Sequence, residues 1–273
     1  MSKLINDTHS SGWSILVILS CLGLIVMFDE TMILPAIPDF IREFNISYST
    51  SSWLLSAYII AAAVMTPIGG KLSDIYGKKK ILLIIMAVYA IGIMAGRFAT
   101  NIEFMIAARV AQGVGMAMFP IAFGIIREVL PEKRLAIGQT IFSSTFSGGA
   151  VVGLVGGAVI IQNFGWQATF LAILPVTIAL WLIIVKFVRV ESQPSAKQGI
   201  DGDNDDSAPN DRTIDIKGTL ALATTIITFL AGISFLEAIS GGGDNSSGVY
   251  QVAGLFAASA VSLVAFIVIE KRV

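Results

Sequence analysis

The chain reads GGKLSDIYGKKK from Gly69 to Lys80, a short basic segment between two almost purely apolar runs. Lysines beside a hydrophobic span resist translocation, so they stay on the cytoplasmic side of a membrane and orient the neighbouring helices. We interpret the segment as the cytoplasmic loop of a transmembrane hairpin. In such a loop, Gly70 and Gly77 would allow close helix approach and a left-handed turn residue, and the Asp74 carboxylate would lie near a helix N-terminus.

The composition of the chain indicates an integral membrane protein. Of its 273 residues, 55% are hydrophobic and 14% are charged, and the mean hydropathy is +0.81, which is too apolar for a soluble domain. The net charge of −1 gives no reason to expect nucleic-acid binding. Cys21 is the single cysteine, so we expect neither a disulfide nor a thiolate metal site. The sequence contains no nucleophile triad, zinc-ligand spacing or phosphate-binding glycine loop, so no enzyme is indicated.

Apolar runs of membrane-spanning length predict eight transmembrane helices. A bilayer core requires about 20 apolar residues per helix, and the first run has this length without a small-residue cleavage site, so it is not a removable signal. The predicted spans are approximately Trp13–Leu34, Ser52–Ile68, Lys80–Arg97, Glu103–Arg127, Leu135–Gln162, Trp166–Val188, Ile216–Ala238 and Val249–Ile269.

The basic residues predict how these helices are oriented. If the turn before Lys80 is cytoplasmic, both chain termini are also cytoplasmic. Of the 18 Lys and Arg residues, only Arg42 and Arg97 would then lie outside, and Arg109 lies within a helix. This asymmetry is typical of a multi-pass protein with its positive loops inside.

Two polar segments interrupt the membrane pattern and divide the chain. Residues 191–215 are rich in Asp, Pro and Gly, which predicts a disordered cytoplasmic linker rather than a regulatory or partner-binding tail. Residues 241–248 are rich in Gly and predict a flexible external turn. The predicted organisation is a six-helix transmembrane bundle at 1–190, the linker at 191–215 and an additional helix pair at 216–273.

Asp29 and Arg109 are the most informative residues within the predicted spans. Ionisable groups in a membrane are costly and usually face a protein interior or an aqueous cavity. Asp29 lies about five residues from the outer end of its helix and Arg109 about six from the outer start of its own, so a rise of roughly 1.5 Å per residue places them at one depth. We expect them to face one another and to serve function rather than structure alone. Glu30 points about 100° away from Asp29 and is expected to be interfacial.

Small residues predict close helix packing in two other spans. Gln112 and Gly113 follow Arg109 in the fourth span, and the fifth span carries Gly149, Gly153 and Gly157 at every fourth position. A row of glycines on one helix face lets two backbones approach closely inside a membrane.

The Gly69–Lys80 segment resembles a motif of the major facilitator superfamily. In that superfamily the loop between the second and third helices carries glycines, an aspartate and basic residues at this spacing. They govern the exchange between inward-open and outward-open states. The resemblance implies that Gly70, Asp74, Gly77 and Lys78 form a gating loop.

Further segments resemble the fourteen-span drug:proton antiporters of the same superfamily. Residues Arg109–Ala117 resemble the arginine-glutamine-glycine motif that is associated with proton transfer, and Asp29–Pro38 resembles the first-helix motif. Gly148–Gly157 resembles the fifth-helix motif of the antiporters. Asp215–Gly218 and Phe266–Arg272 resemble the start and end of an extra helix pair, which in that family lies between two six-helix bundles.

The resemblance implies an all-α integral membrane protein with a six-helix bundle of two inverted three-helix repeats and two further transmembrane helices. Its expected function is proton-coupled efflux of drugs or other small amphiphilic molecules across the cell membrane, driven by the proton gradient without a cofactor. Asp29 would carry the proton, and Arg109 would stabilise its ionised form. The additional pair cannot replace a second bundle, so we expect a truncated amino-terminal part that pairs with a second six-helix half or a copy of itself.

Two other functions fit the same residues. The chain could belong to a proton-coupled exporter or importer of a specific metabolite, because substrate choice depends on pocket details that motifs do not show. It could also be a non-transporting membrane scaffold or assembly partner. A flux assay separates these classes, since energy-dependent efflux of a cation indicates transport, and co-purification of a partner without flux indicates a scaffold.

Overall fold

The computed structural model describes residues 2–188, 216–240 and 245–270, and the regular secondary structure of these residues is entirely helical. The predicted linker at 191–215 and the first half of the predicted external turn lie outside the described residues. The helices are α1 (Ser2–Met32), α2 (Ile37–Phe44), α3 (Tyr48–Tyr76), α4 (Lys78–Arg97), α5 (Ile102–Gly113), α6 (Met118–Val129), α7 (Glu132–Phe164), α8 (Gln167–Phe187), α9 (Ile216–Ser240) and α10 (Asn245–Glu270).

The prediction of an all-α membrane fold is confirmed. By length and composition, seven segments of the described chain can cross a membrane, and two of them consist of consecutive helices, α1–α2 and α5–α6. The remaining predicted span, Ile216–Ala238, lies within α9, whose described apolar stretch, Leu220–Leu236, is shorter. Six of the spans form a bundle in which α1 packs along α7, and α4 lies between α5 and α8. Helices α9 and α10 pack on each other, and α9 also packs on α3.

The first span is longer than the sequence predicts at both ends. Helix α1 begins at Ser2, well before the predicted start of the span at Trp13. After Met32 the chain continues through a 3-10 turn at Leu34–Ala36 into α2, so the apolar helical segment extends to Phe44. Pro35 and Pro38 fall within the first two positions of the turn and of α2. A helix has no intrahelical partner for its backbone N–H groups there, so neither proline interrupts the span.

The basic segment is mostly helical, so its prediction as a loop is wrong for residues 69–76. Helix α3 continues to Tyr76, and the turn consists of Gly77, whose φ of +97° favours glycine. Gly69, rather than Gly70, makes the close helix approach. A Cβ atom on Gly69 would lie 2.6 Å from the Cβ of Ala117, whereas one on Gly70 would meet its nearest side chain at 3.9 Å.

The fourth span contains an interruption that the sequence does not predict. A 3-10 turn at Val114–Ala117 joins α5 to α6 where a continuous helix is expected. The turn packs against α3 and α4. A Cβ atom on Gly115 would lie 2.7 Å from the ring of Tyr89, so the close contact with α4 requires glycine at this position.

The additional helix pair is attached to the bundle through two side-chain contacts with α3. The hydroxyl groups of Ser234 and Ser56 lie 2.9 Å apart, and the rings of Phe235 and Trp53 meet edge to face at 5.5 Å. Within the pair, the hydroxyl of Ser259 on α10 donates a hydrogen bond to a backbone carbonyl of α9. Hydroxyl-to-carbonyl bonds of this kind hold helices together where no water competes.

Helix α7 packs on α1 through a face of glycines. Cβ atoms on Gly149 and Gly157 would lie 2.7 Å and 2.8 Å from atoms of Leu24 and Met32. Between these two points the hydroxyl of Thr31 donates to the carbonyl of Ala150 at 3.0 Å. Gly153 faces the same helix, where a Cβ atom would lie 2.6 Å from the carbonyl oxygen of Phe28. Larger side chains would separate the two helices.

Replacing Gly149 by Val is expected to destabilise the bundle, with Gly148→Val as the matched control. A Cβ atom on Gly149 would meet the backbone carbonyl of Leu24, whereas one on Gly148 would meet nothing within 4 Å. Overpacking costs about 1–3 kcal/mol, which corresponds to a lower Tm by roughly 2–10 °C. Thermal unfolding in detergent measures this shift. Equal Tm values for the two variants would contradict close packing at Gly149.

Candidate functional site

A buried ion pair joins the first span to the fourth. Nη1 of Arg109 on α5 lies 3.7 Å from Oδ2 of Asp29 on α1, and the two side chains are 1% and 0% exposed. Arg109 is among the largest fully buried side chains of the described residues. The two residues that the sequence places at one depth therefore meet inside the helix bundle. Whether they couple protons is a separate question, which stays a prediction.

Besides α1, the Arg109 guanidinium contacts α3 and its own helix, and Gln112 links it to α4. Its Nη1 donates to the Gln112 side chain at 2.7 Å, and its Nε donates to the backbone carbonyl of Leu54 on α3 at 3.4 Å. Its Cζ lies 4.3 Å from the centre of the Tyr58 ring, which places the cation over an aromatic face. Gln112 in turn donates to the carbonyl of Gly92 on α4 at 2.9 Å. The guanidinium thus has a fixed position that does not depend on Asp29 alone.

Asp29 itself has few polar contacts. Both carboxylate oxygens are buried without a hydrogen-bond partner, and so are the hydroxyl groups of Tyr58 and Tyr89. The Tyr89 hydroxyl lies close enough to Asp29 to interact with it, but the two groups do not make a full hydrogen bond. The Asp29 carboxyl group and the hydroxyl groups of Tyr58 and Tyr89 therefore lie in the same cluster as Arg109. Such a cluster can hold or release a proton without breaking a hydrogen bond to Asp29.

Gly92 on α4 and Gly113 on α5 bring the helices of this cluster together. A Cβ atom on Gly92 would lie 2.8 Å from the backbone nitrogen of Gln112, and one on Gly113 would lie 2.8 Å from the Cβ of Ala61. Gln112, which we predicted as a packing residue, also forms the polar bridge between Arg109 and α4. Close backbone approach and side-chain hydrogen bonding thus occur at the same place.

Lys78 is the central residue of the predicted gating loop. Its Nζ lies 2.6 Å from Oε1 of Glu128 at the end of α6 and 3.6 Å from Oδ1 of Asp74. The lysine stem crosses Gly124, where a Cβ atom would lie 2.7 Å from Cε. Lys79 donates to the carbonyl of Val185 near the end of α8 at 2.8 Å. Charged groups of this turn therefore connect the ends of four helices.

Among the described residues, the ion pair of Asp74 is with Lys78 and not with Arg127 at the end of α6. The reason is the short turn at Gly77, which places the first residue of α4 one helical turn after Asp74. The neighbour of Arg127 in sequence, Glu128, faces the loop instead.

Sequence patterns do not reveal the polar roles of Tyr58, Tyr89 or Glu43. The two tyrosines are fully buried in the cluster, but an aromatic residue in an apolar helix carries no signal of a polar role. Glu43 accepts hydrogen bonds from Trp166 at 2.5 Å and from Gln167 at 3.3 Å, which joins the end of the first span to the start of the sixth. Glu43 follows the predicted first span, where a carboxylate is expected to be in solvent, so the sequence does not indicate this contact.

The fold and this cluster define a multi-pass helical membrane protein with a buried ion pair inside its bundle. The sequence model of the Major Facilitator Superfamily matches residues 19–271. This match covers most of the chain, so the protein belongs to the Major Facilitator Superfamily.

Two relatives are similar to this chain in sequence, and one solved structure is similar to it in fold. Multidrug resistance protein 3 of Bacillus subtilis (strain 168) is 27% identical over 245 residues, which cover 89% of this chain and 44% of the relative. The lincomycin resistance protein of Streptomyces lincolnensis is 25% identical over 265 residues, which cover 96% and 50%. The human organic anion transporter MFSD10 has a TM-score of 0.60 at 14% identity, with 82% of this chain and 55% of that chain covered. The chain spans about half the length of the relatives it matches.

Proposed function

We propose that this protein is part of a transporter that exports drugs or other small amphiphilic molecules in exchange for protons. The observation that carries the proposal is the buried pair of Asp29 and Arg109 between α1, α3, α4 and α5. Ionisable groups inside a membrane protein are costly and are typical of pathways for protons or ions. The relatives are named as a multidrug resistance protein and a lincomycin resistance protein, which favours drug export over other transport and over catalysis.

In the proposed mechanism, Asp29 alternates between its ionised and its protonated form. Arg109 stabilises the ionised form across 3.7 Å. When Asp29 is protonated, the hydrogen bonds to Gln112 and Leu54 still hold the guanidinium in place. The guanidinium therefore keeps its position on α3 and α5 while the net charge of the site changes by one. A change of charge in a buried cluster is the kind of event that can bias two arrangements of a helix bundle.

The mechanism requires a second bundle, which we propose lies opposite the spans described here. Alternating access in this type of transporter moves one bundle against another around a central site. The proposed arrangement is that of the fourteen-span drug:proton antiporters, with the bundle at 1–190, a linker at 191–215 and the helix pair at 216–273. The second bundle is a further six-helix half or a second copy of the chain. In this proposal the protein lies in the cell membrane with both termini of the chain in the cytoplasm.

A flux experiment tests the proposal. The complete transporter is reconstituted in liposomes with an imposed pH gradient, and proton movement is recorded on addition of ethidium or lincomycin. We expect proton flux that depends on the added compound and stops when the gradient is collapsed. Absence of flux with every compound, together with stable co-purification of another membrane protein, would support the scaffold function instead.

We propose that Asp74 and Lys78 help to hold the cytoplasmic side closed in one of the two states. Lys78 connects Asp74 on α3 with Glu128 on α6, so relative movement of these helix ends must break or remake its contacts. Asp74 is largely exposed, so the pair contributes little to the folding stability of the bundle. The expected role is therefore in exchange between states and not in assembly.

Replacing Asp74 by Asn is expected to slow transport without changing substrate binding. The turnover number should fall by roughly tenfold. This change corresponds to about 1.4 kcal/mol, near the low end of typical conformational coupling free energies. The rate of ethidium transport in proteoliposomes measures the first effect, and equilibrium binding of ethidium in detergent measures the second. Glu132→Gln, which removes an exposed carboxylate in the first turn of α7, is the matched control. A wild-type turnover number in the Asp74 variant would mean that the basic segment only orients the helices in the membrane and takes no part in gating.

A further inference from the structure

The buried cluster contains a second carboxyl group that the proton-coupling mechanism does not use. Glu30 is half-buried next to Asp29, and its Oε2 is buried without a hydrogen-bond partner. It interacts electrostatically with Arg109, but among the described ion pairs Arg109 is within 4 Å of Asp29 only. The expectation that Glu30 is an interfacial carboxylate does not account for this buried, unpaired oxygen.

The face of α1 that carries Glu30 lies between two occupied faces. Asp29 points towards Arg109 on α5, and Thr31 donates to the carbonyl of Ala150 on α7. Because consecutive helical residues point about 100° apart, Glu30 projects between the directions of α5 and α7. A charged group does not face lipid at this depth, so the exposed part of Glu30 faces an aqueous cavity or a partner bundle.

We propose that Glu30 binds the positively charged group of a substrate, while Asp29 exchanges the proton. This inference rests on the proposed function and names a specificity-determining residue for it. With both carboxyl groups ionised, Asp29, Glu30 and Arg109 carry a net charge of −1. One further positive charge, supplied by a ligand, would make the cluster neutral. Asp29 is fully buried and already next to Arg109, so a bulky ligand cannot reach it. Glu30 has a longer side chain, is partly exposed, and has a buried Oε2 atom without a hydrogen-bond partner.

A binding experiment on the purified complete transporter tests the role of Glu30. The probes are ethidium, a permanent monocation, and Nile red, an uncharged dye, and the readout is the Kd from fluorescence polarisation. In Glu30→Gln, we expect the Kd for ethidium to rise at least about tenfold, as loss of a charged partner in a desolvated site implies. The Kd for Nile red should not change, and Glu30→Asp should keep most of the ethidium affinity. Glu103→Gln, which removes an exposed carboxylate from the first turn of α5, is the matched control.

Three results would overturn the inference. They are wild-type protein that does not bind ethidium, a Glu30→Gln variant with unchanged ethidium affinity, and equal weakening of both dyes, which would indicate a structural role. Failure of the proposed function is recognised separately, because it appears as absence of proton flux with every compound. Selective loss of ethidium binding in Glu30→Gln would support the cation site even if no flux occurred.

Discussion

Replacing Asp29 by Asn is expected to abolish pH-gradient-driven efflux while leaving the amount of the complete transporter in the membrane unchanged. The amide has nearly the size of the carboxyl group and can still place an oxygen beside the Arg109 guanidinium, so the bundle should assemble. It cannot bind and release a proton in the physiological range, so transport would no longer be linked to the gradient. Efflux of ethidium from energised vesicles measures the loss.

The Asp29→Asn variant should retain exchange of substrate down its own concentration gradient. Counterflow in proteoliposomes without a pH gradient measures this exchange, and it distinguishes loss of coupling from loss of binding. Asp39→Asn is the matched control, because Asp39 lies ten residues further along the same span and pairs with Arg42 outside the buried cluster. Undiminished proton-driven efflux in Asp29→Asn would show that Asp29 does not carry the coupled proton.

Much of the membrane architecture follows from sequence because it depends on length and hydropathy. A bilayer requires long apolar segments, so the spans could be predicted from composition alone. The depths of Asp29 and Arg109 could be predicted in the same way, since a helix has a constant rise per residue. The structure places their charged groups 3.7 Å apart, as the common depth implies.

The features that the sequence did not predict depend on contacts between distant segments. Whether Gly69 or Gly70 packs closely is decided by Ala117, nearly fifty residues later, which no local pattern reveals. The same is true of Tyr58, whose ring becomes part of a polar cluster because Arg109 lies over it. Hydropathy also treats the Gly69–Tyr76 segment as a loop, although burial of one face keeps it helical. Tertiary packing therefore decides details that periodicity leaves open.

Replacing Arg109 by Ala is expected to have the largest effect on stability of any single change in the cluster. The change leaves Asp29 without a counter-ion, removes the donor to Gln112 and opens a cavity beside Tyr58. Breaking a buried pair in this way costs about 3–5 kcal/mol. We expect a strongly lowered midpoint of thermal unfolding in detergent and no transport. Arg42→Ala is the control, because the ion pair of Arg42 with Asp39 is largely exposed at Arg42.

The double variant Asp29→Asn, Arg109→Ala separates the cost of the unpaired carboxylate from the cost of the cavity. If the carboxylate dominates, the double variant should be more stable than Arg109→Ala alone, because no unpaired charge remains buried. If the cavity and the lost hydrogen bond dominate, adding Asp29→Asn should not raise the unfolding midpoint. The first result would mean that the two side chains are stabilised mainly by each other. A proton that neutralises Asp29 would then also loosen the contact between α1 and α5, which is the structural link that proton-driven movement requires.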